Sequence, residues 1–285
     1  MSLPHNQKGI PERLGSGTVR SLLHGEPHRE FSPLSNSLLA YPNYVSEAEW
    51  QALNDIAKGE KAVEAGTELH TPRSKESDVH LLVKGWACRA ATTESGKQPI
   101  STLYLPGDVI NLDALIDQES GDFVQMITDG SIISFPRARL CALKMQMPGI
   151  ANTFLWLSLV ENARISEWLK CLGAKPALQR VAHLFCEIAI RLNAIKGDDV
   201  IEIKLPLTQV QIADTIGITQ IHTNRTVSAL RERGLIETSY KTLLIRDFPE
   251  LCHIAEFDPS YLQRHEIRTL DGDGSATTAI PSLGA

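Results

Sequence analysis

A chain of 285 residues that is 42% hydrophobic and 22% charged has the make-up of an ordinary soluble globular protein of about two domains. No apolar run reaches the roughly 18 residues a bilayer span needs, and Pro4, His5, Asn6 and Gln7 break any signal-like start, so no membrane association and a cytoplasmic location are expected. The formal net charge of −6 speaks, taken alone, against a nucleic-acid partner.

Residues 1–35 are rich in Gly, Pro, Ser and His with few periodic apolar positions, the texture of a mobile extension. Ser46 followed by Glu49 makes a capping-box pattern ahead of Trp50, Leu53 and Ile56 and predicts a short helix. From Lys61 to about Leu143 the texture changes to short apolar runs: Leu69, Val79 to Val83, Trp86 to Ala91, Ile100 to Leu105, Phe123 to Thr128 and Ile132 to Phe135. Turn residues such as Lys84-Gly85, Glu94-Ser95-Gly96, Pro106-Gly107-Asp108 and Asp129-Gly130 separate them. Short strands at this spacing predict a β-sandwich or barrel-like domain.

From Gly149 to Leu172 the pattern turns helical, with Ile150, Phe154 and Leu157 and then Ile165, Leu169 and Leu172 on either side of a polar Glu161-Asn162 interruption. Leu155, Trp156, Leu159, Val160 and Trp168 widen the stripe beyond one face. A helix apolar on two sides has a second side to bury, and a partner copy of the chain is the expected cover, with burial inside one chain as the alternative. A further helix is expected from Pro176 to Leu192, with Ala182, Phe185, Ile188, Ala189 and Leu192 inward, followed by a short strand from Val200 to Leu205.

The stretch from Leu207 to Glu237 carries the most information. Thr208 and Gln211 form a second capping box, Ile212 and Ile216 an apolar face, and Ala213 a small residue where another helix crosses closely. Gly217 sits where a sharp turn calls for positive φ, and Thr219 can cap a second helix running to about Arg233. On that helix Thr223, Thr226, Val227 and Leu230 share the inward face, which leaves Gln220, Ile221, Asn224, Arg225 and Ser228 outward. Arg pairs with guanine, Gln or Asn with adenine, and Ile221 can press on a thymine methyl, so this face suits the major groove. Gly234 stops the helix, and a hairpin with Lys241 at its tip supplies a phosphate contact. The charge distribution agrees: from Ala174 to Arg246 ten Lys/Arg face seven Asp/Glu, a local +3 that leaves −9 on the remainder.

The chain here resembles the Crp/Fnr family of bacterial transcription regulators over roughly Leu38 to Pro249. The resemblance is carried by Ile212-Ala213-Asp214, Gly217-Ile218-Thr219, His222-Thr223-Asn224-Arg225-Thr226, Leu230-Arg231-Glu232-Arg233-Gly234-Leu235-Ile236 and the turn Leu105-Pro106-Gly107-Asp108. It implies an α+β architecture: a cyclic-nucleotide-binding-like β-roll sensor (36–145), a long dimerisation helix (146–173) and a winged helix-turn-helix (174–255). The remaining tail (256–285), whose stretch Asp271-Gly-Asp-Gly-Ser-Ala-Thr-Thr lacks core-forming residues, is expected to be largely disordered. The resemblance also implies a homodimer on palindromic double-stranded DNA, with RNA polymerase as a further partner. Base reading would fall on Gln220, Ile221 and Arg225, with Thr219 and His222 at phosphate- or edge-contacting places; Thr208, Asn224, Ser228 and Lys241 complete the expected interface.

The effector stays open. Members that bind a cyclic nucleotide use a Gly-Glu pair and an Arg-Ser or Arg-Thr pair; here Leu112-Asp113-Ala114-Leu115 and Phe123-Val124-Gln125-Met126 occupy the comparable stretch, and no arginine lies between Arg89 and Arg137. Members with an iron–sulfur cluster carry closely spaced N-terminal cysteines, whereas the first cysteine here is Cys88. Haem-binding members would draw on residues such as Cys88, His70 and His80. No cofactor and no metal are expected, and the widely spaced Cys88, Cys141, Cys171, Cys186 and Cys252 read as free thiols. A β-roll that has lost ligand binding and only builds the dimer is the alternative. An enzyme acting on nucleic acid finds no phosphate loop, no His-Glu-x-x-His and no paired carboxylates to stand on, since Asp198-Asp199 reads as a turn.

Overall fold

The structure, a computed structural model, describes residues 34, 37–40, 44–71, 78–116, 121–195 and 200–262. The expected N-terminal extension (apart from Leu34, which is buried in a hydrophobic core), the Asp198-Asp199 turn and the tail beyond Leu262 lie outside them. The chain divides into two compact units, with the break between Lys170 and Cys171. No helix among the described residues is long and apolar enough to cross a membrane.

The first unit opens with α1 (Glu47–Ile56), whose capping box forms as its sequence requires: Ser46 Oγ accepts the Glu49 N–H and Glu49 returns a bond to the Ser46 N–H. The other oxygen of Glu49 accepts the N–H of Gly149 at 2.8 Å, so one carboxylate serves the N-termini of two helices. Gly149 is required by that approach, because a Cβ there would meet the Tyr44 carbonyl oxygen at 2.3 Å.

Eight antiparallel strands follow: β1 (Lys61–Val63), β2 (Glu68–His70), β3 (Val79–Lys84), β4 (Ala87–Ala90), β5 (Ile100–Tyr104), β6 (Val109–Ile110), β7 (Phe123–Met126) and β8 (Gly130–Phe135). They form two four-stranded sheets, β1-β8-β3-β6 and β2-β7-β4-β5. The side-chain period of two explains how the first sheet sits between two cores. Leu82, Ile110 and Ile132 join Ala87, Tyr104, Val124 and Met126 of the second sheet in the roll interior. Val79, Leu81, Val109, Ile133 and Phe135 instead pack with Trp50, Leu53, Leu140, Phe154, Trp156 and Leu157 from helices. That demand on both faces is why β3 is a nearly unbroken apolar run.

The helix α2 (Arg137–Gln146) and, up to Lys170, the 27-residue α3 (Pro148–Ala174) close the unit. Sequence reading extended strand texture to Leu143; α2 stands there instead. Its signal is weak because only Leu140 is fully buried and Pro136 supplies no side-chain cap. The long helix matches its expected span to within two residues at each end.

The second unit is built on α4 (Ala177–Arg191), buried continuously from Val181 to Ala189. Around it lie β9 (Ile201–Lys204), α5 (Gln209–Ile216), α6 (Gln220–Glu232), β10 (Ile236–Ser239), β11 (Thr242–Ile245) and α7 (Phe248–Ala255). The wing is three-stranded, ordered β10-β11-β9, rather than the bare hairpin the sequence suggested. Asp247 caps the otherwise unexpected α7 through the Glu250 N–H, with Pro249 in the first turn. Beyond it, Phe257 packs edge-on against the buried ring of His183, centroids 4.8 Å apart.

Candidate nucleic-acid interface

Helix α5 starts on the Thr208–Gln211 capping box: Thr208 Oγ1 accepts the Gln211 N–H at 3.1 Å, and Gln211 Oε1 accepts the Thr208 N–H at 2.9 Å. It ends at Gly217, left-handed at φ +68°, whose N–H donates to the Ala213 carbonyl. The Ile218 N–H bonds the same carbonyl at 3.1 Å, which fixes a tight turn. Ile212, Ala213 and Ile216 are buried, and Ala213 keeps the helices close. Thr219 then caps α6 by accepting the His222 N–H at 3.3 Å.

The faces of α6 separate as their spacing dictates. Thr223, Thr226, Val227 and Leu230 are buried. Thr223 and Thr226 satisfy their hydroxyls on the carbonyls of Thr219 and His222, so two polar residues enter the core without an orphaned group. Gln220, Ile221, His222, Asn224, Arg225 and Ser228 are exposed, as are Thr208, Thr219 and, on the wing, Lys241. Ile221 keeps 68% of its surface in water, an unfavourable place for an isoleucine that nothing in its own unit covers. The side chains of Gln220, Asn224, Arg225 and Ser228 make no hydrogen bond or ion pair among the described residues. Arg246, by contrast, is committed to Glu237 at 2.9 Å. The hydroxyls of Thr208 and Thr219 already cap helices, so toward a phosphate they offer their remaining lone-pair and donor capacity beside the free helix amides. Tyr240 and Lys241 form the wing's two-residue tip, with Lys241 at φ +52° and its ammonium 5.6 Å from the Tyr240 ring centre.

The β-roll interior holds a group that sequence reasoning looked past. Arg89, on β4, is buried to 13% side-chain exposure, and its guanidinium grips Asp113 bidentately at 2.8 and 3.0 Å. Its Nε donates to the Tyr104 hydroxyl at 3.2 Å, and that hydroxyl donates to Glu161 of α3 at 3.3 Å. Burial alone would raise the Asp113 carboxyl, but the hydrogen bonds and charge of Arg89 hold it below its usual range. Burial dominates at Glu161 and raises it despite Arg89 and Arg164 nearby. Arg164 is paired with Asp108 at 3.5 Å. A charged residue inside an otherwise apolar strand was the available signal; its partners lie too far along the chain to be read. The other effector candidates are placed as follows. His70 and His80 are buried, which lowers both; His80 Nδ1 meets Ser134 Oγ at 2.9 Å, and burial pushes the Cys88 thiol up to about 11.

Two capped helices joined by a tight glycine turn and followed by a wing define a winged helix-turn-helix domain, on a chain that also holds a double-sheeted roll and a long helix. Residues 179–254 match the Crp-like helix-turn-helix domain. The chain is 24% identical over 220 residues to the anaerobic regulatory protein of Haemophilus influenzae, covering 77% of this chain and 85% of that one. It is 28% identical over 216 residues to the transcriptional activator protein FnrL of Cereibacter sphaeroides, covering 74% and 86%. Among solved structures it shares the fold of FixK2 from Bradyrhizobium japonicum at TM-score 0.61 and 23% identity, covering 70% of this chain and 97% of that one. The c-di-GMP-responsive regulator CLP of Xanthomonas campestris matches at TM-score 0.59 and 12% identity, covering 70% and 99%. The chain thus carries a Crp-like helix-turn-helix domain, and over about three quarters of its length it is similar to DNA-binding transcription regulators of the Crp/Fnr type.

Proposed function

We propose that the chain works as a homodimer that reads a palindromic DNA site in sequence-specific fashion, with α6 in the major groove. Residues 36–145 serve as the β-roll, 146–173 as the dimerisation helix and 174–255 as the reader. The observation that carries this reading is the outward face of α6: Gln220, Ile221, Asn224 and Arg225 stand exposed and uncommitted on a helix whose caps and core fix its axis. Ile221 takes a thymine methyl, Arg225 a guanine edge, and Gln220 and Asn224 adenine edges. Thr208, Thr219, His222, Ser228 and Lys241 hold the flanking backbone.

Dimerisation is supported by α3. Leu155, Leu159, Ile165, Leu169 and Leu172 remain 39–72% exposed along one side of the helix. Leu155, Asn162 and Leu169 fall seven apart, as do Ser158, Ile165 and Leu172, a coiled-coil seam with two neighbouring polar residues, Ser158 and Asn162, among four apolar ones. Such a regulator engages RNA polymerase as its further partner. Selection of bound duplexes from a random pool tests the reading: a two-fold symmetric consensus with salt-sensitive affinity is expected, and recovery of unselected sequence would refute it.

For the sensor, the Arg89–Asp113 pair favours a β-roll that neutralises its own interior cation and needs no anionic ligand to do so. A shared fold does not carry the c-di-GMP of the Xanthomonas neighbour over to this chain.

A further inference from the structure

Two thiols meet inside the second unit. Cys186 of α4 and Cys252 of α7, 66 positions apart, have their sulfurs 3.6 Å from one another, and both residues are buried. The contact is held in register from both ends of α7. Asp247 caps its start through the Glu250 N–H at 2.9 Å. At its other end the Lys175 ammonium donates to the Glu256 carbonyl at 3.1 Å, and the Gln179 amide to the Glu256 carboxylate at 3.0 Å. Leu251 and Ala255 are fully buried on either side of Cys252. Two helices pinned in this way present their sulfurs to each other as neighbours, where a disulfide of about 2.05 Å needs an approach of roughly 1.5 Å and no refolding.

We propose that Cys186 and Cys252 are an oxidisable dithiol that a hydroperoxide converts to a disulfide across the DNA-reading unit. One sulfur, as thiolate, attacks the peroxide oxygen; the O–O bond breaks, and the sulfur becomes a sulfenic acid while the leaving oxygen takes a proton to form water or alcohol. The second sulfur then attacks the sulfenic sulfur. Its S–O bond breaks, hydroxide departs and takes the second thiol's proton as water, and the S–S bond remains. Two thiols lose two electrons, and the peroxide gains them.

The surroundings set the rate. Burial and the adjoining thiol raise Cys186 well above its ordinary value, against a smaller opposing pull from Lys175. The closed pair is therefore slow to react, and oxidation runs through transient opening of the eight-residue α7. The rate accordingly levels off as peroxide rises. The bond closes a loop that contains β9, α5, α6 and the wing, so the oxidised unit resists unfolding more than the reduced one.

The test is peroxide treatment of the full-length reduced protein, followed by intact mass and a non-reducing peptide map. A mass loss of about 2 Da, a linked peptide pair holding Cys186 and Cys252, and a melting temperature several degrees higher are expected. Cys252→Ala abolishes all three. Because Cys252 is buried and its truncation opens space in the core, the triple variant Cys88→Ala/Cys141→Ala/Cys171→Ala, which keeps only this pair, is required to give the same link. A link through any other cysteine, stable sulfinic acid at either position, or recovery of both residues as free thiols after prolonged oxidation overturns the proposal.

Discussion

Replacing Asp113 by Ala strips the Arg89 guanidinium of two short charge-assisted hydrogen bonds while leaving it at 13% exposure. Breaking a buried pair from one side costs about 3–5 kcal/mol, since the surviving charge is left uncompensated. Asp113 keeps 26% of its side chain exposed, and Asp122 stays 4.0 Å from the same guanidinium, so part of that loss is recovered. A net destabilisation of about 2–3 kcal/mol follows for the first unit, a melting shift of about 5–10 °C read by calorimetry. The paired replacement Arg89→Met/Asp113→Leu removes both charges and recovers most of the loss. Asp113 is held below its ordinary value, so its contribution is present above the unfolded carboxylate pKa and fades only as pH falls through the folded one. The wild-type advantage therefore persists from neutral pH down to the ordinary carboxylate range and shrinks below it. The single variant also exposes an anion-sized vacancy at Arg89: millimolar phosphate should raise its melting temperature and leave the wild type unchanged. A single variant within about 0.5 kcal/mol of wild type, or a double variant worse than the single, would show that the pair does not hold the roll interior.

Arg225→Ala should weaken binding by about 1–3 kcal/mol and relax one position of each half-site, with a nearly unchanged melting temperature because the side chain is exposed and makes no hydrogen bond or ion pair among the described residues; equal loss on all duplexes would demote it to a phosphate contact. Gly217→Ala sets a Cβ at φ +68° and 3.2 Å from a Leu172 methyl, which should destabilise the second unit by about 1–2 kcal/mol in urea titration; a neutral result would mean the turn relaxes freely. Burial raises Glu161 above its ordinary 4.5, so the folded state binds more protons there and stability falls as pH climbs from that value through the folded pKa. Glu161→Gln should therefore melt higher than wild type at pH 8, with the gap closing near pH 4; a gap independent of pH would rule out titration as its cause. Asn162→Val should tighten self-association measured by sedimentation while mixing helix registers, and no change in association would remove Asn162 from the seam.

Local chemistry made the reader legible. Thr208, Gln211, Gly217 and Thr219 act through bonds three or four residues long, and a period of 3.6 sorts Thr223, Thr226, Val227 and Leu230 from their neighbours. The long helix was readable for the same reason. Helix α2 was not, because one buried leucine makes no period, and β6 is two residues long. The third wing strand depended on pairing Lys204 with Thr242, the roll interior on bringing Arg89 to Asp113 and Glu161 to Tyr104, and the thiol pair on a separation of 66 positions. Such contacts are settled by packing and leave no trace in a window of neighbouring residues.

The third strand of the wing also ties two distant ends of the reader together. The Leu205 N–H donates to the Lys241 carbonyl at 2.9 Å, three residues before the Thr208 cap. The wing tip and the start of α5 thus move as one piece. For the proposed interface they act as the two jaws of a calliper of fixed opening, with α6 between them. A duplex whose groove does not match that opening has to bend to fit, so part of the choice among sites would be made by the stiffness of base steps that no side chain touches.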